Sequence, residues 1–104
     1  MKIIIVCACS TGIASTYMAA EALEMAAKKR GHEVKAETQG TIGIENEVSY
    51  EDAQKADIVI FARDIKIQRS ERFEGRIILE VGVAEAIRKS NEIIIRAEKE
   101  VDEK

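Results

Sequence analysis

The chain has 104 residues, 46% of them hydrophobic, which suits one domain around one core and leaves too little for a second. Its 19 acidic and 16 basic residues are scattered and give a formal charge of -3, so nucleic acid is not an expected partner. Two cysteines and one histidine are too few soft ligands for a metal site, and neither a metal nor an organic cofactor is expected.

Lys2 to Cys7 is a β-branched run of the kind found in a strand buried on both faces. It is too short for a signal-peptide core, and no later apolar run approaches the ~20 residues of a bilayer span. The expectation is a soluble, cytoplasmic product that meets a membrane only through a partner. Small residues from Ala8 to Thr16 make the first loop. From about Ala14 to Arg30 the residues Met18, Ala19, Ala22, Leu23, Ala26 and Ala27 recur at helical spacing. Gly31 is expected to end that helix in a left-handed conformation, behind the cations Lys28, Lys29 and Arg30.

His32 to Gln39 alternates Val34, Ala36 and Thr38 with Glu33, Lys35 and Glu37, which predicts a strand near a sheet edge with one wetter face. Gly40 and Gly43 open a loop, and Ser49-Tyr-Glu-Asp52 reads as the N-cap of a short helix to about Ala56. Asp57 to Ala62 is a third strand, Glu71 to Glu74 a short helix, and Arg76 to Val81 a fourth strand ended by Gly82. One last helix is expected from Val83 to near Val101, with Lys99 to Lys104 as a frayed end.

Strands alternating with helices predict an α/β fold over residues 1–104 as one domain. The expected form is an open three-layer sandwich, with a four-stranded parallel sheet in the order 2-1-3-4 and helices on both faces. Strand one then lies inside the sheet, and ligands bind beyond the strand ends where the order reverses, at the loop after strand one.

Cys9 sits in that loop and is the candidate nucleophile. A thiol facing the N-terminus of a helix ionises more readily, its pKa falling from about 8.5 towards roughly 3.5–7.5. The same main-chain N–H groups can hold phosphate oxygens, and Gly12 lets the backbone approach. Ser10, Thr11, Ser15 and Thr16 add hydroxyl donors, Ile13 and Ala14 complete the loop, and no acidic residue lies between Cys9 and Met18 to repel an anion. On spacing alone, an ordinary turn with an inert thiol and hydroxyl caps is as good a description. Gln39 and Gly40 are candidates to support the loop from behind, because the second strand should end beside it. Asp64, just past the third strand, is expected to cap the following turn or to orient a hydroxyl or a partner. Cys7 reads as a core residue pointing to the face opposite Cys9, and His32 as a solvated surface residue.

The run Ala8-Cys-Ser-Thr-Gly-Ile-Ala-Ser-Thr-Tyr-Met-Ala-Ala-Glu-Ala-Leu23 resembles the first loop and helix of the fructose-specific enzyme IIB component of the bacterial phosphoenolpyruvate-dependent sugar phosphotransferase system. Glu37-Thr-Gln-Gly40 with Gly43 and Asn46, Arg72-Phe73, and Val81 to Ile87 are similar too, so the resemblance spans nearly the whole chain. It implies that Cys9 takes a phosphoryl group from a phosphohistidine on a IIA protein and passes it to fructose, or a related hexose, bound by the membrane IIC permease. It also implies a cytoplasmic domain peripheral to the inner membrane through IIC. Ser10 stands where the family usually has proline and Ser15 where it usually has histidine; both changes leave the nucleophile in place.

Three other readings start from the same loop. A cysteine phosphatase needs an arginine at the end of Cys-x5-Arg, where this chain has Ser15. A thiol redox protein would pair Cys9 with Cys7. A diverged binding or regulatory module would keep an apolar docking rim of Ile13, Tyr17 and Met18 without transferring phosphate.

Overall fold

A computed structural model describes residues 1–10 and 13–103, with residue 13 described by its backbone alone. In chain order the elements are β1 (Lys2–Ala8), α1 (Ile13–Lys29), β2 (Glu33–Gly40), β3 (Gly43–Glu45), α2 (Tyr50–Gln54), β4 (Ile58–Arg63), a 3-10 turn (Ser70–Phe73), β5 (Ile78–Val81), α3 (Val83–Arg88) and α4 (Ser90–Asp102).

The opening apolar run forms β1 because both of its faces have a hydrophobic layer to meet. Ile3, Ile5 and Cys7 point into a core with Leu23 and Ala27 of α1, Ala86 of α3 and Ile94 of α4. Ile4, Val6 and Ala8 point the other way, onto Val48, Ala53 of α2, Ile67 and Phe73. Each fully buried Ile or Leu contributes roughly 1.5–3 kcal/mol of transfer free energy, so this strand alone anchors both layers. Phe73 stacks edge-on against Phe61, with ring centroids 5.6 Å apart, and so carries the 3-10 turn onto β4.

The sheet has five strands in the order β3-β2-β1-β4-β5. β2, β1, β4 and β5 run parallel, while β3 runs antiparallel to β2, with Gly40 opposite Gly43 and Thr38 opposite Glu45. The α/β architecture with helices flanking a central sheet is as expected, but the sheet is mixed, and the expectation of four parallel strands is corrected. The segment read as a loop contains a hairpin whose returning strand starts at Gly43, with φ at 103°, a conformation that favours glycine. Three residues are too few to show an alternating pattern.

Two other boundaries follow the sequence closely. Gly31 has φ at 85° just past α1, and the His32 N–H donates to the Ala27 carbonyl at 3.1 Å, wrapping the helix end. Ser49 caps α2 by accepting the Asp52 N–H at 3.1 Å.

The single last helix divides into α3 and α4 at Lys89, whose φ and ψ of -127° and 35° are not helical. Arg88-Lys-Ser-Asn91 has no apolar anchor, and its Ser and Asn are weak helix formers. The break leaves Val83 and Ala86 buried on one side of it and Ile93, Ile94 and Ala97 buried on the other.

Met18 departs from the expected apolar stripe of α1: it is 55% exposed, while Ala19, Leu23, Ala26 and Ala27 are buried. His32 departs from its expected solvated role, since it is half-buried between the N-terminal amine, 3.1 Å from Nδ1, and a Glu98 oxygen, 2.6 Å from Nε2.

Candidate active site

β1 is flanked on both sides by parallel strands, and both hold its C-terminal end. The Cys9 N–H donates to the Gln39 carbonyl of β2 at 3.2 Å, and the Asp64 N–H, just past β4, donates to the Ala8 carbonyl at 2.9 Å. The thiol therefore sits at the strand-order reversal, where an open α/β sheet offers a binding crevice.

Cys9 is 4% exposed and borders the α1-side core. Its sulfur meets polar groups there: Ser15 Oγ donates to Sγ at 3.6 Å, and the thiol donates to Asp64 Oδ2 at 3.6 Å. Ser10 and Ala14 are exposed, Ser15 is half-buried and Thr16 is buried. Thr11 and Gly12 lie outside the described residues, as does the side chain of Ile13, so the amide cradle expected of them is not described. Of the expected docking rim, Tyr17 and Met18 are exposed, and the Tyr17 hydroxyl donates to the Glu45 carboxylate of β3.

Cys7 and Cys9 are not joined by a disulfide. They do not point to opposite faces as expected: both side chains belong to the core on the α1 face. Residues two apart along a strand share a face, and the short exit beyond Ala8 keeps that period. Burial in hydrocarbon pushes the Cys7 thiol up to about 12, so Cys7 is inert as a core residue should be.

Asp64 contacts the candidate nucleophile, Cys9. Among the described residues it makes no turn-capping hydrogen bond, so its expected capping role is not observed. An acidic group does stand beside the thiol, delivered from 55 residues away by the pairing of β1 with β4.

Gln39 and Gly40 both lie where the second strand was expected to bring them. An ideal Cβ at Gly40 would stand 3.9 Å from Thr16 Oγ1 and 4.0 Å from the Cys9 carbonyl, which is ordinary contact with the loop. The Gln39 amide is fully engaged away from the sulfur: Oε1 accepts the Gln68 N–H at 2.8 Å, and Nε2 donates to the Gln68 carbonyl at 3.0 Å and to Glu37 Oε2 at 2.8 Å. It clasps the segment after β4 to the end of β2.

That clasp belongs to a buried network missed at the level of sequence, where Glu37 was assigned to the wetter face of β2. Glu37 is 0% exposed and Arg72 4%. Arg72 Nη1 and Nη2 donate to the two Glu37 oxygens at 2.7 and 3.0 Å, and Nη1 also donates to the Val48 carbonyl at 2.7 Å. Burial alone would raise the Glu37 pKa, but hydrogen bonds from Arg72, the Val48 N–H and Gln39 outweigh it and hold the carboxyl below its ordinary value. A signal was present in the similarity of both Glu37-Thr-Gln-Gly40 and Arg72-Phe73 to one family, though nothing there paired the two charges.

The fold, with a thiol at its switch point, defines a class: residues 4–96 match the family model described as PTS system, Lactose/Cellobiose specific IIB subunit. A "PTS system fructose-like EIIB component 2" of Escherichia coli K12 is 53% identical over 97 residues, covering 93% of this chain and 92% of the relative. The solution structure of an enzyme IIB subunit of the PTS system from Escherichia coli K12 superposes with a TM-score of 0.91 at 41% identity, covering 98% of this chain and 94% of the other. A domain from a fructose-specific IIABC component of Borrelia burgdorferi superposes with a TM-score of 0.87 at 43% identity, covering 92% and 91%. The chain belongs to the enzyme IIB family of the sugar phosphotransferase system, on its fructose-like branch.

Among the described residues no helix is long and apolar enough to cross a membrane, and no group of three His, Cys, Asp or Glu side chains is gathered to hold a metal ion.

Proposed function

We propose that residues 1–104 act as one phosphoryl-carrier domain in fructose-type sugar uptake, with Cys9 as the carrying atom's residue. A IIA protein gives up a phosphoryl group from its phosphohistidine to Cys9 Sγ, and the sulfur passes it to a hydroxyl of fructose, or a related hexose, held by the membrane IIC permease. The domain works in the cytoplasm and reaches the inner membrane only through IIC.

The observation that carries this reading is the position of the Cys9 sulfur, beyond the end of β1 and beside the start of α1, with the Ser15 hydroxyl donating to it at 3.6 Å. Helix N-termini attract anions through their unpaired N–H groups and their dipole. In this reading Ser10, Thr11, Gly12, Ile13, Ala14, Ser15 and Thr16 hold the phosphoryl oxygens through main-chain and hydroxyl donors. Gln39 and Gly40 fix the loop from β2, and Asp64 faces the sulfur from β4. The phosphatase alternative lacks its arginine, and the buried, unreactive Cys7 is a poor resolving thiol for a redox pair.

The test is intact-mass measurement after incubation with a fructose-type IIA protein phosphorylated by phosphoenolpyruvate and the general phosphotransferase proteins. One phosphoryl increment is expected on the native chain and none on Cys9→Ser. An increment that persists in Cys9→Ser overturns the assignment.

A further inference from the structure

We infer that Asp64 is a fixed negative charge that raises the transfer potential of the Cys9 phosphoryl group, so that the domain hands the group on instead of storing it. This rests on the carrier reading above.

The first loop is free of acidic residues from Cys9 to Met18, as suits an anion site, yet the fold returns a carboxylate to within 3.6 Å of the sulfur. The adjacent cation Arg63 is committed to Glu80 Oε1 at 2.7 Å and to the Ile65 carbonyl at 3.3 Å, and among the described residues Asp64 makes no ion pair.

Both states of the sulfur feel the carboxylate, with opposite consequences for each. The neutral thiol donates a hydrogen bond to Oδ2 and is favoured by it. A phosphothiol has no proton to donate and brings a second negative group against the first, so it is disfavoured. The two effects have the same sign for the reaction.

In the loading step the N–P bond of the donor phosphohistidine breaks, the S–P bond forms, and the thiol proton leaves for the vacated imidazole nitrogen. In the unloading step the S–P bond breaks, the sugar oxygen takes the phosphorus, and the hydroxyl proton returns to the sulfur. Asp64 forms no bond in either step. Helix-end and hydroxyl donors hold the group while the carboxylate opposes it, and the balance sets how readily the group leaves. Two unit charges ~6 Å apart, one of them on an exposed side chain and so screened to an effective dielectric of ~40, change an equilibrium constant by about tenfold.

The experiment equilibrates each variant with a labelled phosphohistidine form of a fructose-type IIA protein and reads the share of label on Cys9. Asp64→Asn is expected to raise the equilibrium constant for loading by about tenfold, with the gap narrowing in ~1 M salt. Asp64→Glu, which keeps the charge, is expected to stay near the native value. Asp64 is exposed, so an unchanged melting temperature checks that each variant is folded. A folded Asp64→Asn that loads as the native chain does, or less, overturns the role of Asp64 and leaves the carrier reading standing. A native chain that takes no label on Cys9 sinks the carrier reading and this inference together.

Discussion

The guanidinium of Arg72 grips both carboxylate oxygens of Glu37 at 2.7 and 3.0 Å, binding the second strand to a 3-10 turn 35 residues further on. All five N–H groups of Arg72 are used, the others on the carbonyls of Val48, Gln68 and Arg69. Arg72→Met would leave a buried carboxylate unpaired, which costs about 3–5 kcal/mol. Replacing the pair together, Glu37→Leu with Arg72→Met, should cost less, because no charge is stranded. Urea unfolding of the two variants checks this; equal losses would mean that the ion pair is not what the single substitution removes.

The two thiols should differ sharply in chemistry. Cys7 is 0% exposed with its pKa pushed to about 12, whereas Cys9 lies against polar groups at the loop. Iodoacetamide under native conditions is expected to add once, at Cys9, and Cys9→Ser should remain unmodified until it unfolds. Peptide mapping that finds Cys7 modified first would contradict the burial described for it.

Ser15 should matter to the rate of transfer more than to the fold. Its hydroxyl donates to the Cys9 sulfur, and a net hydrogen bond of about 1 kcal/mol corresponds to roughly fivefold in rate. Ser15→Ala is expected to slow loading from phosphorylated IIA by about that factor with little change in Tm. Ser15→His, which introduces a group able to carry positive charge, should load faster than Ser15→Ala. Rapid-quench measurement of the labelled chain decides both.

Acid should loosen the join between the start of β2 and α4. Hydrogen bonds from Arg30 and then His32 hold the Glu98 carboxyl at about 2, below its ordinary 4.5. Because the folded value is the lower one, this stabilisation is complete above pH ~4.5 and disappears as pH falls towards ~2. Solvent screening limits it to about 1 kcal/mol or less. Glu98→Gln should therefore lower Tm slightly near neutral pH and show a flatter decline between pH ~4.5 and ~2. A decline as steep as that of the native chain would remove Glu98 from the account.

Much of this architecture could be read before any coordinates, and the reasons are local. Continuous β-branched runs marked β1 and β4, Gly31 marked the end of α1, and Ser49 marked the start of α2. What escaped reading needed partners distant in the chain. Glu37 looked solvent-facing because alternation shows periodicity and not what lies across the sheet, and Arg72, the Val48 N–H and Gln39 together make its burial tolerable. Lys89 carried no proline or glycine to announce the break before α4. The position of the candidate nucleophile was legible because it depends on one strand and one helix. The closeness of Asp64 depends on the register in which Ala8 meets Arg63, which no local pattern records.

The short return strand β3 has a consequence for how partners approach. It covers the outer peptide groups of Thr38 to Gly40, the stretch of β2 nearest the thiol, and before that stretch the open edge carries the charged side chains of Glu33 and Lys35. No partner can add a strand directly to that stretch of β2; under the carrier reading a donor or an acceptor meets Cys9 over the tips of the loops and leaves without unpicking a ladder of backbone hydrogen bonds. For a domain visited in turn by two others, as proposed, masking the backbone nearest the thiol in this way keeps each visit brief.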